Sequence, residues 1–392
     1  MQTGGLRDID VYGRNMKLEI KTKRAWVEVN IGNIVSNYNY IRSLVGKDCR
    51  ICAVVKANAY SHGGERVALA LEKAGADMFA VATIVEALEL RVAGVKADIL
   101  VLGRTEPEDC AFLAKYGIVQ TVYSYEYASE LASALKKSGL EIRVHIKLDT
   151  GMNRIGFMSQ SADDIQLSVA QIVKISKLPF FNIEGIFTHF AMSDDRTNCY
   201  NAIQYRNFIS VVSKLRKLGV EPKICHICNS DAIFNFPHCH LDMVRAGIAL
   251  YGAEGGPDLK PAMDLKCSVI HIHKVAPGEC ISYGCTYKAL RETRVATLAI
   301  GYADGLPRAW SEKGYVLIHG KRSKILGKIC MDQCMVDVTD IDCNVGDVAT
   351  VFGTDGAESL PAKKIADAVG TISYEILCGF DRKRIYSKEV NV

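Results

Sequence analysis

Between residues 49 and 252, short apolar runs rich in β-branched residues alternate with longer segments in which apolar residues recur every three or four positions. The first pattern is typical of buried strands, and the second of helices with one apolar face. Segments such as GGERVALALEKAG and YEYASELASALKKSG also end in glycine, a common helix stop. Eight runs are predicted as strands, at residues 49–55, 77–83, 98–103, 119–124, 141–148, 182–189, 223–229 and 243–247.

This alternation of strands and helices predicts an α/β fold with a parallel sheet. Eight strands, each but the last followed by a helix-length segment, are the number that closes a TIM-type (β/α)8 barrel. Such barrels carry their chemistry at the C-terminal ends of the strands. An open doubly wound sheet is the alternative, but no G-x-G-x-x-G motif follows the first strand.

The pattern changes after Gly252. A connector with glycine and proline, GGPDLKPAMDLK, is followed by short strand-like runs at residues 267–276, 294–301, 314–320, 324–331, 333–339 and 347–353. These runs predict a mainly β C-terminal domain. We therefore expect a polar lead-in or linker at residues 1–24, a barrel domain at 25–258 and a β-rich domain at 259–392. The segment AWVEVN at 25–30 is a candidate extra strand for the C-terminal domain.

The composition is that of an ordinary globular protein, with 392 residues, 49% of them hydrophobic and 23% charged, and a formal charge of +4. Because the charges are interspersed, nothing indicates a nucleic-acid partner. No apolar run reaches the roughly twenty residues that span a bilayer, and the N-terminus lacks the apolar core of a signal peptide. The first 24 residues fit a tag, a linker or the remnant of a longer chain. If the chain is excised from a longer one, the protein would be the cytoplasmic domain of a membrane protein.

The 14 cysteines lie mostly within apolar runs, which favours reduced thiols and a cytoplasmic location. The stretch Cys225-His226-Ile227-Cys228 has the form of half a zinc site. No second pair of ligands follows at the required spacing, and the alternation favours a strand. No metal site is therefore expected.

A lysine follows the first predicted barrel strand, in the stretch AVVKANAYSHG at residues 53–63. Lys56 would stand at the C-terminal end of a buried strand, where a charged amine is costly unless it is paired or neutral. A neutral amine is what Schiff-base chemistry requires, because only that form attacks a carbonyl. A lysine at a strand end by itself is more often a surface residue, so the surrounding motif decides.

That motif resembles the cofactor-lysine signature of the alanine racemases, which are fold-type III pyridoxal-phosphate enzymes; their usual form has glycine where this chain has Ser61. The resemblance extends from Trp26 over nearly the whole chain. The other matching segments, in chain order, are LDTGMNRIGF (148–157), FTHFA (187–191), CNSDA (228–232), MVRAGIALYG (243–252), ISYGCTY (281–287), IGYADGLPR (300–308), KICMDQCMVD (328–337) and SYEILC (373–378).

The resemblance implies a two-base mechanism, because one group rarely removes a proton from one face of a carbon and returns it to the other. It implies that Lys56 holds pyridoxal phosphate and serves one face, and that Tyr283, from the partner subunit of a homodimer, serves the opposite face. A tyrosine is a poor base at neutral pH unless its phenolate is stabilised. The residues matched to that supporting role are His189 and Arg245, the latter also matched to the pyridine nitrogen, where a guanidinium keeps its proton.

The resemblance also implies the binding residues. The matched cofactor-phosphate residues are Tyr60, Asn229, Ser230, Gly247, Ile248 and Tyr374, several of them in the usual phosphate corner of such barrels. The matched substrate residues are Arg154, Met331 and Asp332, with Tyr302 at the entrance. Lys147 matches a lysine that is carbamylated in some relatives.

The implied activity is conversion of L-alanine to D-alanine, which supplies a D-amino acid for peptidoglycan. Serine racemases of vancomycin resistance share these motifs, so L-serine is the alternative substrate. A pyridoxal-phosphate carrier without strong turnover is a second alternative, but such relatives lack the β-rich domain that carries Tyr283 and Met331. A decarboxylase on the same fold is a third, and its substrate motifs are absent from the C-terminal third.

Overall fold

The computed structural model describes residues 7–11, 14–18, 24–256, 258–311, 313–380 and 384–390. The chain forms two compact units: Asn30–Ala262 is one, and Met263–Val390 joins the residues before Asn30 in the other. Within the expected lead-in at 1–24, the described strands β1 (Arg7–Val11) and β2 (Arg14–Leu18) pair antiparallel, and most other positions of that segment lie outside the described residues.

The first unit is a barrel of eight parallel strands. They are β4 (Arg50–Val54), β5 (Met78–Val81), β6 (Asp98–Val101), β7 (Ile118–Val122), β8 (Ile142–Asp149), β10 (Phe181–Phe187), β11 (Ile224–His226) and β12 (Met243–Ala246). They follow one another in the order β11-β10-β8-β7-β6-β5-β4-β12, and a two-residue strand β9 (Phe157–Met158) is added beside β8. The ring is nearly closed by a hydrogen bond of 2.9 Å from the Arg245 amide to the Cys228 carbonyl. The predicted TIM-type barrel is confirmed.

Helices alternate with these strands along the chain. They are α1 (Ile31–Leu44), α2 (Gly64–Lys73), α3 (Ile84–Val92), α4 (Cys110–Lys115), α5 (Tyr125–Ser138), α6 (Ala162–Ser176), α7 (Tyr200–Lys217) and α8 (Ser230–Asn235). The start of α6 shows why they begin where they do: Ser161 Oγ accepts the Asp164 amide at 3.1 Å, and the Asp164 carboxylate accepts the Ser161 amide at 3.0 Å. This reciprocal capping satisfies two amides that have no partner within the helix.

The second unit is built mainly from strands. They are β3 (Ala25–Val29), β13 (Met263–Val275), β14 (Cys280–Ile281), β15 (Tyr287–Lys288), β16 (Thr293–Leu298), β17 (Tyr315–Ile318), β18 (Lys321–Lys324), β19 (Cys334–Asp337), β20 (Val348–Asp355), β21 (Glu358–Leu360) and β22 (Tyr386–Glu389), with helices α9 (Ala362–Val369) and α10 (Ser373–Cys378). The main sheet runs β18-β17-β20-β13-β16-β19, and β3 pairs with β13 and with β22. The mainly β character predicted for this part of the chain is confirmed.

One predicted strand in this unit is wrong. Residues 324–331 do not form a strand, because β18 ends at Lys324 and the chain turns away. Gly327 has a φ of +68°, and a Cβ at that position would lie 2.5 Å from the carbonyl oxygen of Ile281. The Cys330 amide then donates to the Gln333 carbonyl at 2.9 Å. The apolar run is therefore a loop that passes against neighbouring backbone, which an alternating pattern does not reveal.

The cysteines divide into two groups. Most free thiols among the described residues are buried, as their apolar surroundings in the sequence suggest. Cys280 and Cys285 differ, because the structure joins them in a disulfide. The expectation of reduced thiols therefore does not extend to this pair.

Candidate active site at the ends of the barrel strands

Lys56 follows strand β4 and opens an unusual turn. The five residues after it, Ala57–Ser61, all have positive φ, between 52° and 67°. Left-handed backbone costs roughly 1–2 kcal/mol for each residue with a side chain, so such a turn persists only where other contacts hold it. Two contacts do so here: the Ala57 amide donates to Glu86 Oε1 at 2.6 Å, and Asn58 Oδ1 accepts the Gly64 amide at 2.7 Å. The strained backbone therefore lies directly beside Lys56, the lysine predicted to hold the cofactor.

A buried histidine completes this turn. His62 Nδ1 lies 2.9 Å from the carbonyl oxygens of both Ala59 and Tyr60. Burial lowers the pKa of His62 to about 4, so the ring is neutral and Nδ1 carries the proton that these carbonyls accept. Ser61, where the family pattern has glycine, takes a φ of 67° and a ψ of 8°, a conformation that glycine adopts freely.

Tyr60, Ser230 and Gly247 form a hydroxyl–amide corner. Ser230 Oγ accepts the amides of Gly247 at 2.9 Å and Ala249 at 3.3 Å. A Cβ on Gly247 would lie 3.0 Å from the Tyr60 hydroxyl. Asn229 caps α8 through its side chain, which places Ser230 at the first helical position. Because amides and hydroxyls converge here, the corner has the donors that bind a phosphate.

Ile248 follows Gly247 directly and is buried. The structure therefore brings together five of the six predicted phosphate residues: Tyr60, Asn229, Ser230, Gly247 and Ile248. The sixth, Tyr374, lies on α10 in the other unit.

Arg245 is the buried centre of a second group. Its guanidinium lies 2.9 Å from His226 Nδ1 and 3.1 Å from His189 Nδ1, and donates to the carbonyls of Thr188 and Ile227 at 2.9 Å each. Among the described residues no carboxylate is within ion-pair distance of this arginine. A purely structural arginine at this depth needs such a partner, so the charge is left for a ligand. Burial lowers the pKa of Arg245 to about 10, which still leaves it charged at neutral pH.

The arginine assigns the protons of the neighbouring histidines, because a guanidinium only donates. His226 Nδ1 must accept from Arg245, so the proton of His226 is on Nε2, which points to His145 Nδ1 at 3.0 Å. Burial, followed by the charge of Arg245, holds the pKa of His226 well below its usual range. A line of neutral histidines therefore runs from the arginine into the barrel. Sequence reasoning did not name His145, and it considered His226 only as part of a zinc site that it rejected, because both histidines alternate with apolar residues as ordinary strand residues do.

His189 is the point where the basic residues meet. Burial lowers its pKa well below the usual range, and the charges of Arg245, Lys147, Arg154 and Lys56 lower it further, in that order. These four basic residues all stand at or just after the C-terminal ends of strands β4, β8 and β12. The end of the barrel is therefore an electropositive pocket suited to anionic ligands.

Strand β8 positions three further polar residues. Lys147 and Asp149 lie at its C-terminal end, and Arg154 lies in the loop that follows. The Lys147 ammonium donates to the Leu148 carbonyl at 2.7 Å, and burial, with the charge of Arg245 next, lowers its pKa to about 7. The Asp149 carboxylate accepts three amides, those of Gly151, Asn153 and Arg154, at 2.9–3.0 Å. Asp149 thus shapes the loop from which the exposed Arg154 side chain projects. Sequence reasoning named Lys147 and Arg154 and missed Asp149, although the matched segment LDTGMNRIGF contains it.

The remaining predicted site residues belong to the β-rich unit. Tyr283 lies on the loop between β14 and β15 with 67% of its surface exposed. The amides of Tyr302 and Ala303 donate to the carbonyls of Cys330 and Met331 at 3.0 and 2.9 Å, which brings Tyr302 beside Met331 and Asp332. Tyr374 lies on α10, half-buried.

Asp304 supports this second cluster. Its fully buried carboxylate accepts both terminal nitrogens of Arg24 at 2.7 Å, Arg384 Nε at 2.8 Å and the Gly301 amide at 2.9 Å. Arg24 also reaches the Asp332 carbonyl at 3.0 Å, and Arg384 contacts the Asp332 carboxylate. Asp304 therefore fixes the Asp332 segment, and sequence reasoning did not name it.

The barrel and its strand-end residues define the class of the protein: a (β/α)8-barrel enzyme with a lysine and an anion-binding pocket at the C-terminal ends of its strands. Two family models match, the alanine racemase N-terminal domain at residues 29–255 and the alanine racemase C-terminal domain at residues 262–387. Among the described residues, no helix has both the length and the apolar character to cross a membrane.

Similar proteins carry the same name. The alanine racemase of Desulforamulus reducens is 43% identical over 361 residues, which are 90% of this chain and 95% of the relative. The solved alanine racemase of Clostridium difficile 630 aligns with a TM-score of 0.86 at 41% identity, over 94% of this chain and 97% of its own. That of Bacillus anthracis, solved with bound L-Ala-P, aligns with a TM-score of 0.86 at 36% identity, over 94% and 96%. The chain belongs to the alanine racemase family.

Proposed function

We propose that this protein interconverts L- and D-alanine with pyridoxal phosphate as cofactor. The observation that carries the proposal is the meeting of Lys56, the Arg245–His189 pair and the hydroxyl–amide corner at one end of one barrel. The similar proteins reported above are named for alanine, and one was solved with L-Ala-P. The match to the C-terminal family domain disfavours the carrier alternative, since that domain contains Tyr283 and Met331.

The residues present fit pyridoxal phosphate. Gly247 leaves open the space that a Cβ would fill, 3.0 Å from the Tyr60 hydroxyl, and Ser230 supplies a hydroxyl on the other side. These groups would hold the phosphate together with Asn229, Ile248 and Tyr374, while Arg245 would face the pyridine nitrogen and Lys56 the aldehyde. Bound pyridoxal phosphate would supply an electrophilic carbonyl and a conjugated ring that makes the substrate's α-proton more acidic.

Lys56 and Tyr283 would divide the proton transfers. Lys56 would hold or release a proton on one face of the α-carbon, and Tyr283 on the other, because each group reaches only one side. A phenol ordinarily has a pKa near 10, so its phenolate needs a positive neighbour. The cations around His189 offer that environment, and because His189 Nδ1 accepts from Arg245, the neutral ring would donate a hydrogen bond to the phenolate through Nε2.

Arg245 would act by keeping its proton. Its pKa of about 10 leaves it charged throughout the physiological range, so it donates to an acceptor nitrogen and does not protonate it. The carbonyls of Thr188 and Ile227 fix the plane of the guanidinium and therefore its direction.

Arg154 would bind the substrate carboxylate, with Met331 and Asp332 completing the pocket and Tyr302 at its entrance. Lys147 has a pKa of about 7, so much of it is neutral at physiological pH and able to add carbon dioxide. A carbamate formed there would place a negative charge on the β8 end that carries Arg154. We propose this carbamylation as the role of Lys147.

A homodimer follows from this division of labour, with Tyr283 and Met331 supplied by a second copy of the chain. A cytoplasmic location and the supply of D-alanine to peptidoglycan complete the proposal. Sedimentation of the active enzyme as a dimer is the expected result, and an active monomer would remove the composite site.

The test begins with the purified holoenzyme. Borohydride reduction should fix the cofactor to Lys56, as located by peptide mapping, while a variant of the exposed Lys73 (Lys73→Ala) should label as wild type. Racemisation is then measured on L-alanine and L-serine. A preference for L-alanine supports the proposal, a preference for L-serine replaces the substrate, and activity on neither rejects the reaction.

A Tyr283→Phe variant separates the two bases. It should retain the cofactor absorbance and lose racemisation by at least a hundredfold, since general acid–base groups contribute about 10²–10⁴-fold. An unchanged rate would remove Tyr283 from the mechanism while leaving cofactor binding at Lys56 intact.

A further inference from the structure

The loop that carries Tyr283 is anchored at both ends. Strands β14 and β15 pair antiparallel, with Ile281 opposite Tyr287. Ile281 is buried in an apolar cluster with Val275 and Leu326, and Tyr287 packs against the same cluster. Residues 282–286 cross between these anchors and are largely exposed. The position of Tyr283 therefore depends on restraints within this short loop.

The backbone of the loop is strained. Ser282 has a φ of 68° with a ψ of −177°, a combination nearly confined to glycine, and Cys285 has a φ of 51°. Such conformations cost of order 1–3 kcal/mol each and persist only where neighbouring groups impose them. One such group is the Lys328 carbonyl, which accepts the Ser282 hydroxyl. The loop keeps its shape only while these restraints remain.

The Cys280–Cys285 disulfide is a further restraint. It spans the loop with a Cα–Cα separation of 5.0 Å, and Tyr283 lies between the two linked residues. In the single chain both cysteines are exposed, whereas most free cysteines among the described residues are buried. An exposed disulfide is open to attack by small thiolates, and exposed bridges are typically the labile ones. The bond therefore offers a chemical means of changing the restraint on Tyr283.

We propose that Cys280 and Cys285 are a redox modification site that controls racemisation, with the disulfide form holding Tyr283 in its working position. The inference rests on the proposed function of Tyr283. The oxidant is a small disulfide such as oxidised glutathione. The Cys280 thiolate attacks one of its sulfurs and releases one glutathione thiol; the Cys285 thiolate then displaces the second. Two protein thiols and one glutathione disulfide thus become one protein disulfide and two glutathione thiols, and reduction reverses both exchanges.

Reduction should act on one proton transfer and spare the other. It releases the cross-link from the strained loop, so Tyr283 samples positions away from the substrate, and a misplacement of about 1 Å costs up to about a hundredfold in rate. Lys56 lies on a different unit and keeps its cofactor and its face of the substrate. We expect kcat to fall about tenfold with little change in KM.

The experiment equilibrates the holoenzyme with reduced or oxidised glutathione and measures three quantities. Alkylation and peptide mapping give the state of the pair, and the cofactor absorbance reports Lys56. Rates are measured for racemisation and for exchange of the α-hydrogen with D₂O. In the reduced enzyme, exchange without inversion should persist for the one enantiomer whose hydrogen faces Lys56, which a general loss of structure would not produce.

Variants complete the test. Cys285→Ser and Cys280→Ser should each have the rate of the reduced enzyme in both buffers, and Cys199→Ser, which changes an exposed thiol of the barrel unit, should respond as wild type. Equal racemisation rates in the two states, or a pair that stays reduced in oxidised glutathione, would overturn the inference while leaving the proposed function standing. Absence of racemisation in both states would refute the proposed function and this inference with it.

Discussion

Removal of the charge on Asp304 should destabilise the β-rich unit far more than its single-atom change suggests. In Asp304→Asn the side chain keeps its size, but one oxygen becomes an NH₂ that faces Arg24 or Arg384. Three charge-assisted hydrogen bonds of 2.7–2.8 Å are affected. Breaking one partner of a buried ion pair costs about 3–5 kcal/mol. Because the side chains of Arg24 and Arg384 are about one-third exposed, at 32% and 35%, we take the lower end, about 3 kcal/mol.

The protein contains its own probe for this measurement. Its two tryptophans, Trp26 and Trp310, both lie in the β-rich unit and are both buried. Urea unfolding followed by their fluorescence therefore reports on that unit. With a slope of about 2 kcal/mol per molar, a loss of about 3 kcal/mol moves the midpoint down by roughly 1.5 M. Asp340→Asn, which breaks an exposed pair with Arg291, is the matched control and should leave the midpoint unchanged.

The effect should also depend on pH. Burial opposes ionisation of Asp304, but the hydrogen bonds from Arg24 and Arg384 outweigh it and lower the carboxyl pKa below its ordinary value. A lowered pKa gives stability that is present above the unfolded value near 3.9 and is lost as the pH falls below it. The gap between wild type and Asp304→Asn should therefore narrow below about pH 4. A variant within 1 kcal/mol of wild type at pH 7, or a gap that widens in acid, would refute this reasoning.

Three further changes test the barrel unit. Ser61→Gly should raise the free energy of unfolding of the barrel by about 0.5–1 kcal/mol, because relief of a left-handed φ exceeds the entropy cost of glycine. Ser61→Val should lower that free energy. Thermal unfolding followed by circular dichroism checks the sign of both changes. Gly247→Ala should weaken pyridoxal-phosphate binding at least tenfold in an absorbance titration, since its Cβ would lie 3.0 Å from the Tyr60 hydroxyl. In a Tyr60→Phe background the same methyl should reduce the affinity by less. An equal loss of affinity in both backgrounds would exclude that contact. With ¹³C-bicarbonate, Lys147 should give a carbamate signal by NMR that is stronger at pH 8 than at pH 6, since its pKa of about 7 leaves more neutral amine at the higher pH; a signal that survives in Lys147→Met would belong to another group.

The barrel was predictable because strands covered on both faces are written as continuous apolar runs, and each of the eight was recognised from its own residues. Lys56 was singled out for a related reason, since chemistry in such barrels lies where each strand ends, whereas Arg245 and Ser230 were named from the resemblance to the alanine racemases. What failed was structure decided by distant neighbours. The run at 324–331 is apolar because several of its side chains are buried, yet it is a loop in which Gly327 has a positive φ and lies close to the carbonyl of Ile281.

The same limit applies to the supporting residues of the site. Nothing in Ala57 or Asn58 signals a left-handed turn, because Glu86 and Gly64 impose it through contacts. Asp304 meets Arg24 across 280 positions of sequence. The His226–Arg245 contact joins strands β11 and β12. Only the folded barrel shows that His226 Nδ1 must accept a hydrogen bond from Arg245. Local pattern therefore predicts elements and their chemistry-bearing ends, while long-range pairing decides how those ends are held.

The strand pairing of β3 has a consequence for biosynthesis. Its Glu28 is paired with Lys266, 238 residues later, and also with Lys388 on β22, so β3 cannot complete its pairing until β22 has been synthesised. The barrel, by contrast, is one continuous stretch that is able to fold while translation proceeds. Nascent chains should therefore acquire the Lys56 pocket before they acquire Tyr283 in a finished sheet, so the appearance of a working enzyme depends on the synthesis of β22.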